Sequence, residues 1–166
     1  MPRDLRMSRI LHVLIHMDRH VERATSEQIS KMISTNPVVV RRLMGGLRDR
    51  GIVTSEKGHG GGWKLSRPLT EVTLRDVYDA VGAPPLFNIG PHAEPSECLV
   101  EKAVDAQLDA SLSEAEARLL AQFSTISVES LARDFEDRFA RMQQDGRGAP
   151  NTPNPHTGFH RLAGKS

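Results

Sequence analysis

Residues 56–67, Glu-Lys-Gly-His-Gly-Gly-Gly-Trp-Lys-Leu-Ser-Arg, place four glycines within five positions and flank them with Lys57, Lys64 and Arg67. Glycine has no Cβ, so such a run reverses direction freely and cannot sustain a helix. A Walker-type loop also cradles phosphate on glycine N–H groups, but it ends in Gly-Lys-Ser/Thr and opens a helix. Here Trp63-Lys64-Leu65 follows instead and reads as a short return strand, paired with the β-branched run Ile52-Val53-Thr54-Ser55. The segment therefore predicts a hairpin whose basic tip lies against phosphate.

What precedes the hairpin is helical. Ile10, Leu11, Leu14, Ile15 and Met17 recur at helical spacing and predict a first helix from about Leu5 to about Arg23. Thr25 or Ser26 can cap a second helix that turns Ile29, Met32 and Ile33 inward. After the turn Ser34-Thr35-Asn36, Asn36 is a good N-cap and Pro37 fits the first helical position, where its missing N–H costs nothing. A third helix through about Arg50 buries Val40, Leu43, Met44 and Leu47, and Gly51 ends it. A short helix, a polar turn and a helix opening with small residues and Arg41-Arg42 form a helix-turn-helix outline.

Composition supports a polyanion-binding front. The formal net charge is only +1, yet residues 1–67 hold 13 Lys/Arg against 6 Asp/Glu, and residues 68–145 hold 6 against 15. That reversal of sign suggests a front that meets nucleic acid and a rear with another task. No apolar run approaches the length of a membrane span, and the start lacks a secretory h-region, so a cytoplasmic protein is expected. A single cysteine excludes an internal disulfide.

Behind the hairpin, Thr73 caps a helix of about Leu74–Val81, and Pro84-Pro85 stop it. Residues 84–97 read as a linker. From Cys98 to about Phe123 the composition is helical, with Leu108, Leu112, Ala115, Leu119, Phe123 and then Ile126 forming a narrow stripe like a two-helix seam. Ser113 with Glu116 is a capping box, so a break near Ala110–Ser113 is allowed. A last helix from about Val128 carries Leu131, Phe135, Phe139 and Met142. Beyond Gly146 nothing is periodic, and disorder is expected. The expected division is thus a DNA-binding domain over 1–83, a linker over 84–97, a helical region over 98–145 and a tail over 146–166.

Thr-Asn-Pro-Val-Val-Val-Arg-Arg-Leu (35–43), Lys-Gly-His-Gly-Gly-Gly-Trp-Lys-Leu (57–65) and Val-Thr-Leu-Arg-Asp-Val-Tyr-Asp-Ala-Val-Gly (72–82) resemble the Rrf-two family of bacterial regulators, the IscR/NsrR type, and in particular its YwnA-like branch. The likeness covers residues 1 to about 135. It implies a mainly α fold with a small β-hairpin wing, a winged helix-turn-helix domain plus a long dimerisation helix. It also implies a repressor or activator whose recognition helix enters the major groove and whose wing enters the minor groove. Repression is the role expected. Cluster-binding members carry three cysteines between the short and long helices, whereas this chain has Cys98 alone. Three-thiolate ligation within one subunit is excluded, and no cofactor is expected. A cluster bridging two subunits with His92 or Glu97 assisting is the one alternative arrangement. Trp63 stands where the family usually has Tyr.

Candidate contacts follow from these positions. Arg41 and Arg42 face base edges or phosphate, where a bidentate Arg–guanine contact contributes about 1–3 kcal/mol of discrimination. Val38 and Val39 either meet thymine methyls or pack. Ser26, Thr35, Asn36 and Pro37 sit at helix starts, where contact to phosphate and capping compete as explanations. Lys57 is a phosphate contact by position and charge. His59, Gly60 and Gly61 form the tip. Cys98 opens a helix whose positive end favours thiolate, while Glu94 and Glu97 oppose it, and the readings are a redox sensor or a small buried hydrophobe. His12, His16 and His20 recur at i, i+4, i+8. They can chelate Zn²⁺ or Ni²⁺ in pairs, but a solvated or dimer-contacting face is the reading taken, with no metal site.

Two other functions compete with a dimeric DNA-binding regulator. The acidic rear half can bind a partner protein or small effector, with Cys98 structural. An enzyme with Cys98 as nucleophile lacks a recognisable base and orienter, so no enzyme is expected.

Overall fold

The computed structural model describes residues 4–20, 23–58, 61–90 and 97–144. Helix α1 (Arg6–His20) presents Ile10, Val13, Leu14 and Met17 as one fully buried stripe. Its spacing of three and four matches the helical repeat, and this face becomes the centre of the core.

Helix α2 (Ser26–Met32) starts from Thr25, not Ser26. The Thr25 Oγ1 accepts the Gln28 N–H at 3.2 Å, and Gln28 Oε1 accepts the Thr25 N–H at 2.8 Å, a reciprocal capping box. A turn with Ser34 in the left-handed region (φ 49°) leads to α3 (Pro37–Asp49). Asn36 Oδ1 accepts the Val38 N–H at 2.8 Å and Pro37 occupies the first turn, as capping chemistry predicts. The end of α3 is a Schellman motif: the Gly51 N–H donates to Arg48 O and the Ile52 N–H to Leu47 O, with Gly51 at φ 66°. Buried Ile52 then closes over Leu47.

Strands β1 (Val53–Glu56) and β2 (Gly62–Leu65) pair antiparallel, from Val53 opposite Leu65 to Glu56 opposite Gly62. Ala24 adds a third edge by exchanging both hydrogen bonds with Trp63, at 3.0 and 2.9 Å. After a short 3-10 turn (Leu69–Glu71), α4 (Leu74–Ala80) starts from a second capping box, Thr73 with Asp76. A Cβ at Gly46 would run into the Ala80 carbonyl oxygen, so the glycine is what lets α3 and α4 approach.

Helix α5 (Leu99–Thr125) is unbroken for 27 residues. The capping signature at Ser113 and Glu116 lies inside it; the Ala- and Leu-rich flanks favour continuing the helix. None of its residues is buried, and contact with the head is made near its end, where Phe123 meets the Tyr78 ring at 6.2 Å. The chain then rejoins the head. The Leu74 N–H donates to Ile126 O at 2.9 Å and the Val128 N–H to Val72 O at 2.8 Å. Helix α6 (Val128–Gln144) packs Val128 and Ala132 into the core beside α1 and the 3-10 turn. The side chains of Phe139 and Met142 and the tail expected to be disordered lie outside the described residues.

Candidate nucleic-acid interface

The two faces of α3 differ sharply. Val40, Leu43, Met44 and Leu47 are buried, while Val38 is 64% exposed and Val39 41%. A β-branched pair on the opening turn of a helix gains nothing from water. Neither valine is packed into the core. Arg41 and Arg42 stand one position further, both exposed. Arg41 Nε reaches back to the Pro37 carbonyl at 3.4 Å, and neither arginine pairs with a carboxylate among the described residues.

That lack of pairing separates them from other cations of the head. Lys31 is held by Glu27, Arg48 by Asp49, Arg50 by Asp79 and Arg67 by Asp76. Lys64 and Arg23 share Glu56, whose carboxyl is held below its ordinary pKa, chiefly by the hydrogen bond from Lys64. Lys57, at the start of the hairpin tip, has no such partner among the described residues. Arg41, Arg42 and Lys57, which the sequence singled out, are thus among the cations left open for phosphate. Lys64 and Arg67, which flank the glycines equally in sequence, are already engaged.

Ser26, Thr35 and Asn36 have structural duties. Ser26 Oγ accepts the Trp63 indole N–H at 3.0 Å, which ties the hairpin to the start of α2 and leaves the hydroxyl proton able to donate. The Thr35 N–H donates to Ser30 O at 3.0 Å, and Asn36 is the cap described above. Thr35 and Asn36 lie at the opening of α3, and Ser26 opens α2. At the tip, a Cβ on Gly61 would strike the Glu56 carbonyl oxygen, and Gly58 sits at φ 99°, so the bend requires glycine at both. His59 and Gly60 lie outside the described residues.

The structure also places the histidine stripe and Cys98. His16 is buried, not solvated, with its ring 4.6 Å from that of His12 in an edge-to-face arrangement; the side chain of His20 lies outside those described. Cys98 is exposed at the N-cap of α5, which removes the reading as a buried hydrophobe. Backbone N–H groups of Glu101 and then Val100 hold its thiol below its ordinary pKa.

The apolar seam of α5 begins earlier than its sequence reading. Leu99 is 81% exposed and Val100 71%, and Val104 and Leu108 continue the exposed surface. With Ala103 and Gln107 these residues line a shallow, almost wholly apolar groove. Val100, Val104, Leu108 and Leu112 recur at steps of four, a signal present in the sequence one and two turns before Leu108.

Among the described residues no helix is long and apolar enough to cross a membrane. An iron–sulfur centre requires several thiolate or imidazole ligands, and Cys98 is the chain's one cysteine. Among the described residues no three His, Cys, Asp or Glu side chains gather at metal-binding distance, and His92 lies outside those described.

A family model described as Rrf2, iron-dependent transcriptional regulator, matches residues 4–134. YwnA of Bacillus subtilis (strain 168), which bears the name of an HTH-type transcriptional regulator, is 36% identical over 107 residues, covering 63% of this chain and 77% of YwnA. YwgB of the same organism, similarly named, is 38% identical over 77 residues, 45% of this chain. The match spans about half the length of YwgB (49%). Among solved structures, a transcriptional regulator from Lactobacillus plantarum has the same fold at TM-score 0.67 and 22% identity, covering 86% of this chain and 98% of that one. The T. potens IscR structure aligns at TM-score 0.57 and 14% identity, covering 83% and 90%. With the family match running through the helix-turn-helix, the hairpin, α5 and the start of α6, the chain belongs to the Rrf2 family and is a DNA-binding regulator of transcription rather than an enzyme.

Proposed function

We propose that this protein is a homodimeric repressor that reads a pseudo-palindromic operator, with binding modulated by oxidation of Cys98. Each protomer lays the opening of α3 in the major groove and the hairpin tip against the minor groove. Arg41 and Arg42 contact base edges or phosphate, Val38 and Val39 contact thymine methyls, and Lys57 with the tip His59, Gly60 and Gly61 follows the backbone. Ser26, Thr35, Asn36 and Pro37 hold the opening of α3 and the root of the wing in place, with Ser26 and Thr35 able to donate to phosphate. One observation carries the reading: exposed valines and unpaired arginines occupy one face of α3 whose other face is core.

The dimer is supported by the bare apolar seam of α5, which a second copy would cover. Half-sites one or more helical turns apart then follow from two-fold symmetry. Cys98 begins that seam, so oxidation of its thiolate by a peroxide to sulfenic acid, or of two Cys98 thiols by a two-electron acceptor such as diamide to a disulfide between subunits, alters the helix pair and with it the spacing of the two heads. The protein works without an iron–sulfur centre, because a single cysteine does not supply the ligands.

The test is binding of the purified protein to duplex DNA from upstream of its own gene at fixed salt, reduced and diamide-treated, with Cys98→Ser in parallel. A change of about tenfold on oxidation, absent in the Ser variant, is the expected result and equals about 1.4 kcal/mol. Tight binding that survives oxidation unchanged assigns the signal to a partner protein or small effector on the acidic rear half.

A further inference from the structure

Glu56 is the last residue of β1 and lies on the outward face of the hairpin. The register sets Thr54 opposite Lys64 and Glu56 opposite Gly62, so Glu56 and Lys64 are diagonal neighbours on that face. Val53 and Trp63 occupy the other face and are buried. The Glu56 carboxylate meets Lys64 Nζ at 2.6 Å and also pairs with Arg23. Arg23 is carried there because its neighbour Ala24 is hydrogen-bonded to Trp63. One carboxylate thereby engages two cations from two separate segments and cancels one of their two charges, next in sequence to the unpaired Lys57.

This arrangement is a poor stabilising device. The side chains of Arg23, Lys64 and Glu56 are 39%, 37% and 39% exposed, and ion pairs at such sites contribute little to folding. Its effect on a polyanion is larger. Every cation that meets a phosphate adds a counterion-release contribution that is the same for all sequences, with log K falling about 0.9 per contact for each decade of salt. Three unpaired cations at the hairpin root would raise attraction to any duplex, and random sites in a genome far outnumber targets.

We propose that Glu56 sets the sequence-independent part of the DNA affinity, by occupying Arg23 and Lys64 so that the wing attracts phosphate through Lys57 rather than through three cations. The proposal rests on the hairpin meeting DNA. It is tested by titrating random-sequence duplex with the full chain over a salt series from about 50 to 200 mM, for the native protein, Glu56→Gln, Lys64→Gln and the double variant. Glu56→Gln is expected to bind random duplex about threefold or more tightly at low salt, with log K falling more steeply by about 1 to 2 per decade of salt. Lys64→Gln is expected to remove about one unit of that slope in the Glu56→Gln background and less than half of it in the native one, a coupling that global destabilisation does not mimic. An unchanged or weaker affinity of Glu56→Gln with an unchanged slope, or equal effects of Lys64→Gln in both backgrounds, overturns the proposal while DNA binding stands. A native protein that binds no duplex at low salt overturns both.

Discussion

Arg41 and Arg42 owe their significance less to being basic than to being unpaired, a property no sequence pattern displays. Arg48 lies on the same helix and is equally exposed, but Asp49 accepts from its guanidinium at 2.9 Å. Arg41→Ala and Arg42→Ala are each expected to weaken operator binding by about tenfold or more, in line with about 1–3 kcal/mol for a good base contact. Arg48→Ala is expected to stay within about twofold, since a surface ion pair contributes little either way. Fluorescence anisotropy at one fixed salt concentration checks all three. Cys98 gives a second residue-scale prediction. Its thiol pKa is lowered, so the thiolate is populated at lower pH than in an ordinary cysteine, and the midpoint of the pH profile for iodoacetamide alkylation should lie below that of a free cysteine peptide measured alongside, with that peptide's midpoint as the reference value. A midpoint at or above that value contradicts the geometry at the α5 N-terminus. The sequence named both arginines and the cysteine as candidates, and the structure finds all three exposed. It preferred Lys57 to Lys64 and Arg67 by position alone and could not show why the other two are engaged, because ion pairing joins Glu56 to Lys64 across a hairpin and Arg67 to Asp76 across a turn.

Elements were legible wherever local chemistry decides them. The Asn36-Pro37 start of α3, its Gly51 stop and the Gly62–Leu65 strand depend on residues adjacent in sequence, and the structure places them as the residues dictate. Long-range joins were not legible. Nothing in the sequence marks Ala24 as a third hairpin edge, Ser26 as the acceptor for Trp63, or Val72 as the partner of Val128. These joins fix the wing and α6 against the helix-turn-helix. Trp63→Phe removes the donor to Ser26 and trims the buried indole to a single ring, and should cost about 1–3 kcal/mol of stability by thermal denaturation. Gly46→Ala should cost about 1–3 kcal/mol, because α3 must move off the Ala80 carbonyl. The α1–α6 join carries a pH dependence. Arg19 donates to Glu129 at 2.9 Å and to Glu136 at 2.8 Å, and holds the Glu129 carboxyl below its ordinary value of 4.5. A depressed carboxyl pKa stabilises the fold above the unfolded value and ceases to do so as pH falls through the folded one. Stability should therefore drop below about pH 4.5, and Arg19→Met should flatten that drop in a pH series of thermal melts.

At the scale of the molecule, a basic head carries an acidic helical rear, a division visible in the sequence as a reversal of charge along the chain. The rear is not a separate body hung on a linker, since α6 returns Val128 and Ala132 to the head's core and only α5 stands clear. A helix of 27 residues with no buried side chain and an exposed apolar seam offers the surface that the proposed second copy would cover. Val104→Asp with Leu108→Asp should shift the protein to monomer in sedimentation velocity and weaken operator binding, since one head alone reaches only one half-site. The central claim is that two such heads read DNA together through α3. It is tested most directly by selecting bound sequences from a random duplex library with the native protein and with an Arg41→Ala, Arg42→Ala variant. The account predicts an enriched motif of two inverted half-sites for the native protein, lost in the variant while its melting temperature is retained. An unsymmetric motif, no motif, or a motif that survives without both arginines would contradict it.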